Sequence, residues 1–392
     1  MSLARNLSRG LMSLEIRIVE SKRDLKTFVK VPFDIYHGNK YWVPPLIRDE
    51  MAVFDRSKNP AYENADSRLF LAIKNGTAVG CIAGILSHAA NEKYNQKNLR
   101  FGWFETIEDY PVAQALLESV EKWASELGME TITGPQGFTD LDHQGMLIEG
   151  FDQLPTISVY YNHSYYPEFV ERYGFGKEID YIEFKTPTPD PEGIPEKLVR
   201  IADRIKKRSA FRILEFKSKK EVIRLGPELF ELLNEAYESI YGSVPLTPKQ
   251  IDYYIKKYIS FVDKDLLKIV VNGDGRMAGF LITMPSLSEA FQKAGGRLLP
   301  LGWYHLLRGL KRNDILDFYL IGTKNKYRSS GVSLLMAVDI LQTAVERGFK
   351  YGESSPMLET NALVHALHKY LNPAVHKGDV FIKSEWKTSL SR

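Results

Sequence analysis

Cysteine is nearly missing from this chain: Cys81 is the only one in 392 residues. That excludes an intramolecular disulfide and a cysteine-rich metal site, and it favours a reducing compartment. Long hydrophobic runs are missing too. No stretch reaches the roughly 18 apolar residues of a membrane span, so stable membrane insertion is not expected. The basic opening, MSLARNLSRGLMSLEIRIV, has no unbroken apolar core because Glu15 and Arg17 interrupt it, which argues against a signal peptide and for the cytoplasm. An excess of one charge is also absent. The 52 basic and 49 acidic residues leave a net +3, and no basic run is long enough for a nucleic-acid tail, so no nucleic-acid partner is expected. What is present, 44% apolar and 26% charged residues, suits a globular protein of two or three domains.

Four prolines in KTPTPDPEGIP (185–195) mark a composition break, because proline removes backbone donors and favours extended chain. The expected organisation is a tail (1–13), a first domain (14–186), a proline-rich linker (187–198) and a second domain (199–392). Each half has the same pattern. The first has strands at 14–19 and 67–86, the latter turning at KNGT, then a strand at 99–107, a helix at 111–127 and a strand at 129–135. A helix at 165–175 and a strand at 180–185 close it. The second has a strand at 211–216, helices near 220–240 and 248–260, strands at 266–271, 277–284 and 315–323, a helix at 331–347, a strand at 349–355, a helix at 361–371 and a last strand at 379–383. Shifting one half by about 220 residues sets Gly102 on Gly322, Val120 on Ile340 and Gly128 on Gly348. The shift also sets Glu108 on Arg328 and Pro111 on Gly331. Duplication is the reading this register favours, with the general likeness of any two βα units as the alternative.

One motif carries chemistry. In YRSSGVSLLM (327–336) a strand meets a glycine-bearing turn and then an amphipathic helix. The first N–H groups of a helix lack partners and sit at the positive end of its dipole, so such a turn can hold an anion. Ser329, Ser330 and Ser333 offer hydroxyls, Arg328 offers charge, and Gly331 lets backbone approach a ligand. The plainer alternative is a serine cap on a buried helix.

IGTKNKYRSSGVSLLM resembles motif A of the GCN5-related N-acetyltransferase superfamily, Gln/Arg-x-x-Gly-x-Gly/Ala, with Arg328 and Gly331 in place and Ser333 where Gly or Ala is usual. SSPMLETNALVHALHKYLN resembles motif B, with Asn361 at the helix start. The resemblance covers nearly the whole chain and implies a mixed α/β fold with two tandem acyltransferase domains. It further implies acetyl-CoA or another acyl-CoA as cosubstrate. The pyrophosphate would rest on Arg328, Ser329, Ser330, Gly331, Val332 and Ser333, and the pantetheine arm would pair with Ile321, Gly322 and Thr323. Acidic Glu108 and Asp109, with Pro111, suggest that the first domain is a degenerate copy: they already satisfy the helix dipole and would repel a pyrophosphate.

The expected reaction is acyl transfer to a primary amine of a small molecule or peptide, with a homodimer as an open option for assembly. The alternative is an inactive acyl-CoA sensor or scaffold. The family's leaving-group acid is often a Tyr seven residues after the motif B Asn. Here that position is His368, with Tyr370 nearby, and either side chain can donate a proton. Glu353 is the leading candidate base and Asp317 the second. His365 and His368 share a helix face, but no third ligand accompanies them, so no metal is expected. Last, residues 287–313 alternate leucines and Trp303 with Lys293, Arg297, Arg308, Lys311 and Arg312. Such a stripe packs on the protein's own core or a partner, lies on a membrane surface, or covers a cleft as a lid.

Overall fold

The computed structural model describes residues 14–190, 193–259, 262–359 and 381–390. Local chemistry sets many of the element ends. After strand β1 (Leu14–Ile18), Ser21 starts helix α1 (Lys22–Ile35) with a reciprocal box: its hydroxyl accepts from the Asp24 N–H, and the Asp24 carboxylate accepts from the Ser21 N–H. Helix α2 (Ile47–Val53) follows. Strands β2 (Ala65–Lys74) and β3 (Thr77–Ser87) form the expected hairpin at Asn75 and Gly76, whose φ values of 53° and 81° suit the tight turn that matches strand twist. Helix α3 (His88–Lys93), β4 (Asn98–Thr106), α4 (Tyr110–Glu126), β5 (Thr131–Gly134), β6 (Met146–Leu147), α5 (Tyr165–Tyr173), β7 (Gly176–Glu183) and β8 (Lys185–Pro187) complete the first half.

The second half runs through α6 (Glu196–Arg208), β9 (Arg212–Ile213), α7 (Lys219–Tyr237) and α8 (Pro248–Lys257), the last boxed by Thr247 and Gln250. It continues with β10 (Leu267–Val271), β11 (Met277–Pro285), α9 (Ser288–Ala294), α10 (Gly302–Lys311), β12 (Ile315–Thr323), α11 (Val332–Glu346), β13 (Tyr351–Ser354), β14 (Met357–Leu358) and β15 (Phe381–Ser389).

The strands make two mixed sheets, one of nine strands in the order β1-β2-β3-β4-β5-β15-β7-β14 with β6 on β15, the other of six in the order β8-β13-β12-β11-β10-β9. Antiparallel strands lead into one parallel pair in each: β4 with β5, and β12 with β13. Strand alternation buries both faces. Phe70, Ala72 and Ile82 meet Leu116, Val120 and Trp123 of α4, while Leu69, Leu71 and Ile85 meet Phe28, Val31 and Val53 of α1 and α2. In the second sheet α7 and α8 cover Ile269, Phe280 and Ile282, and α6 and α11 cover Val270, Ala278 and Leu281.

Two features differ from the sequence reading. The last strand does not extend the second sheet: β15 runs between β5 and β7, pairing Trp386 with Gly134 and Phe381 with Glu183. In return β8, expected as the start of linker, pairs with β13, Tyr351 opposite Pro187, and α6 begins at Glu196. The outer edges of β5 and β13 would otherwise expose unpaired N–H and C=O groups, and each is covered by a strand from the other half. The register also shifts. Asn98 and Ile315 hold equivalent places 217 positions apart, whereas Thr131 and Tyr351 are 220 apart. The connection after the fourth strand is longer in the second half, residues 324–331 against residues 107–109, and the helix after it is shorter, 15 residues against 17, which together give the shift.

A chain ending before Phe381 should therefore lose order in its first half. Hydrogen exchange would show amides of Thr131–Gly134 and Gly176–Glu183 losing protection while those of β10–β12 keep theirs.

Candidate active site

The parallel pair of the second half opens into a V. Strands β12 and β13 pair from Ile315 to Phe318, one further bond joins the Ser355 N–H to the Phe318 carbonyl (2.8 Å), and β12 then continues to Thr323 without β13. A bulge sits at the opening. The β11 register slips between Ile282 and Thr283 and leaves Tyr319 as the extra residue on β12. On the freed edge Ile321 faces the Tyr237 hydroxyl at the end of α7; burial and the charge of Asp140 push that hydroxyl up to about 12 against the pull of the Ile321 N–H. Gly322 is held close to its neighbours, since a Cβ there would stand 2.6 Å from the Phe280 ring.

The turn after β12 ends at Gly331, φ 84°, and no side chain caps α11. The serine-cap alternative fails. The Ser330 hydroxyl donates to the Tyr327 carbonyl (2.7 Å), and the Ser333 hydroxyl pairs with that of Thr323 (3.0 Å). Ser329 is exposed and Val332 is buried under the helix. Arg328 donates to the Ala236 carbonyl (3.0 Å), and the Asn325 N–H donates to Glu235 (2.9 Å), which ties the turn to α7. Gly331 has a different reason from the expected one. A Cβ there would stand 2.4 Å from Ile205 of α6, so glycine answers to the left-handed φ and to helix packing rather than to room for a ligand. Asn361, His365, His368 and Tyr370 lie outside the described residues.

Beneath the V, Lys185, Glu353 and Asp317 form one cross-strand row over β8, β13 and β12. Lys185 Nζ sits 2.8 Å from Glu353 Oε1. Asp317 is fully buried. Burial, then the neighbouring Glu353 carboxylate, raises its pKa well above the usual range, and the hydrogen bond from the Tyr319 hydroxyl (3.1 Å) does not offset this. A polar cavity of about 550 Å³ opens beside this row, lined by Glu353, Lys185, Ser286, Arg312, Asn313 and first-half residues including Asp152.

The first half holds a site that the sequence reading missed. Its V is plugged by tyrosines. The Thr106 N–H donates to the Tyr166 hydroxyl (2.9 Å), and buried Glu105 accepts from Tyr160 (2.7 Å), Tyr36 (2.7 Å) and Tyr166 (2.8 Å). Burial lifts the Glu105 pKa to about 7 against the pull of these three hydroxyls. A bulge at Trp103 and Phe104, with Trp103 at φ 46°, precedes it, and the Trp103 indole donates to the raised carboxyl of Glu50 (2.7 Å). Charge near α4 is also arranged otherwise than expected: Asp109 makes no cap and instead pairs with Lys74 (2.5 Å). The signal for the tyrosine site was the density of tyrosines in VYYNHSYY (159–166), but only folding brings Glu105 and Tyr36 to them.

No family model matches the chain. The Escherichia coli protein YghO is 26% identical over 352 residues, covering 88% of this chain and 89% of its own. A Caulobacter vibrioides protein named bacterial ceramide synthase is 26% identical over 366 residues, covering 90% and 92%. A solved tandem GNAT protein from the clavulanic acid biosynthesis pathway superposes on 97% of this chain and 99% of its own, with a TM-score of 0.53 and 10% identity. The chain has the tandem GCN5-related N-acetyltransferase fold. In that fold the two V-shaped openings are the equivalent places of the two halves, one edged by an uncapped helix, the other filled by side chains.

Glu105 makes a pH prediction. Its folded pKa lies above its ordinary 4.5, so the folded state binds the extra proton and stability falls as pH rises from about 4.5 through 7. The loss should amount to about 3 kcal/mol. Glu105→Gln should remove that fall, which denaturant titrations at pH 5 and pH 8 would measure.

Proposed function

We propose that the protein transfers an acyl group from acyl-CoA, acetyl-CoA in the simplest case, to a primary amine. The carrying observation is the conjunction in the second half of a freed β12 edge with an uncapped α11 N-terminus. The donors fit the ligand's parts. The N–H groups of Gly331, Val332 and Ser333 suit a pyrophosphate, with Arg328, Ser329 and Ser330 at the rim. Ile321 to Thr323 suit pantetheine, with the Tyr237 hydroxyl facing Ile321. The first half has three residues where the second has an eight-residue turn, and Tyr166 already takes its strand edge, which supports reading it as a copy that binds no CoA. The relative named for ceramide synthesis supports an amine acceptor, a ceramide being an amide of a long-chain amino alcohol.

In this reading the amine attacks the thioester carbonyl, the C–N bond forms and the C–S bond breaks. A backbone N–H near Ile321 stabilises the oxyanion. Glu353, on the cavity wall, takes the amine proton. Asp317 beside it is shifted toward its protonated form by burial and by the neighbouring Glu353 carboxylate. His368 or Tyr370 returns a proton to the thiolate.

Arg328→Glu and Gly331→Asp should each weaken CoA binding at least about tenfold by calorimetry, since each places a carboxylate beside the phosphates. Gly331→Asp also crowds Ile205, so the exposed Arg328→Glu is the decisive variant; unchanged affinity in a folded protein rejects the site.

Glu353→Gln should lower turnover about 10²- to 10⁴-fold with little change in CoA affinity. Thiol release in the presence of an amine library measures this. Comparing His368→Ala with Tyr370→Phe in the same assay assigns the acid.

A further inference from the structure

The middle of the stripe at 287–313, from Leu298 to Leu307, is not buried in the protein's own core. Leu298, Leu299, Leu301, Trp303, Tyr304 and Leu307 are all exposed, Leu299 at 75% and Leu301 at 62%. They make up half of the exposed large hydrophobic side chains among the described residues, gathered within ten positions. Isolated exposed leucines need no explanation, whereas a contiguous cluster on one hairpin does.

This cluster is presented by an ordered scaffold. Gln292 donates to the carbonyls of Lys40 (2.8 Å) and Trp42 (3.0 Å), and the Ile47 N–H donates to the Gly296 carbonyl (3.0 Å), which anchors the α9–α10 turn to the first half. Gly296 packs so closely that a Cβ would stand 2.5 Å from the Phe33 ring. Beyond that anchor the Trp303 indole donates to the Pro300 carbonyl (2.9 Å) and the Trp303 N–H to the Leu298 carbonyl (2.8 Å). The apolar side chains are thus held outward.

Arg297, Arg308, Lys311 and Arg312 are exposed, and none makes an ion pair among the described residues. The carboxylates next to them, Glu289 and Asp314, are already paired with Lys293 and Lys350, which leaves an excess of positive charge. Apolar and aromatic side chains rimmed by unpaired cations match a surface that offers hydrocarbon behind a layer of anions. A protein partner would need both an apolar patch and unpaired carboxylates, whereas an anionic bilayer supplies both by its construction. No helix among the described residues is long and apolar enough to cross a membrane, so the contact is peripheral.

We infer that the α9–α10 hairpin docks the protein on the surface of an anionic phospholipid bilayer. The inference goes beyond acyl transfer and stands without it. Its position bears on access, because Arg312 and Asn313, directly after α10, line the cavity that contains Glu353.

Flotation of the full chain with vesicles of phosphatidylcholine alone, or with 30% phosphatidylglycerol, tests the inference. Binding should require the anionic lipid and weaken with salt. Arg308→Glu with Lys311→Glu should reduce partitioning by more than about tenfold, each lost cation being worth about fivefold. Leu299→Glu with Leu301→Glu should abolish it. All four positions are exposed, so melting temperatures should not change. No binding by the wild type, equal binding to neutral vesicles, or binding that survives both double variants overturns the inference. So does a dimer in sedimentation that the Leu299→Glu, Leu301→Glu variant dissociates without any vesicle binding by the wild type.

Discussion

Two strands that start side by side and then part leave backbone donors and acceptors behind, and the raised carboxyls Glu105 and Asp317 both lie close to where that happens. Strands β4 and β5 share three paired positions, and β12 and β13 share four, although β4 and β12 are both nine residues long. A buried backbone N–H without a partner is costly, so something must meet each freed edge. In the first half Tyr166 does so permanently from within a packed aromatic cluster. In the second half the Tyr237 hydroxyl faces Ile321 on the freed edge.

The same splitting explains why the halves depend on each other. Parting leaves the outer strand of each pair short of neighbours, and in each sheet the missing neighbour comes from the opposite half, β15 beside β5 and β8 beside β13. Stability of either sheet is therefore tied to chain that is distant in sequence. The arrangement also brings first-half residues to the rim of the second half's cavity, where Asp152 stands with Glu353.

Both halves raise the pKa of a buried carboxyl by the same means. Glu105 and Asp317 follow or precede a bulge on equivalent strands, both are buried, and burial is the largest cause of each raised pKa. They differ in their company. Three tyrosine hydroxyls satisfy Glu105 and make it part of a closed network. Asp317 faces a second carboxylate, which is itself held by Lys185 and lines a cavity.

The sequence alone determined the repeated order of strands and helices, the Asn75–Gly76 hairpin, the amphipathic α4 and α11, and the glycine turn before α11. These rest on short-range physics: periodicity, turn preference and helix ends are written within a dozen residues. The register of β4 against β12 was misread, because a fixed shift cannot show that one connecting turn is five residues longer and the helix after it two residues shorter. Only the tertiary structure decided that β15 and β8 change places, that Ile205 fills the space beside Gly331, and that Glu105 meets Tyr36. Each of these joins residues far apart in the chain, and pairing of strand edges and burial of carboxyls are settled by which surfaces meet, which no local pattern records.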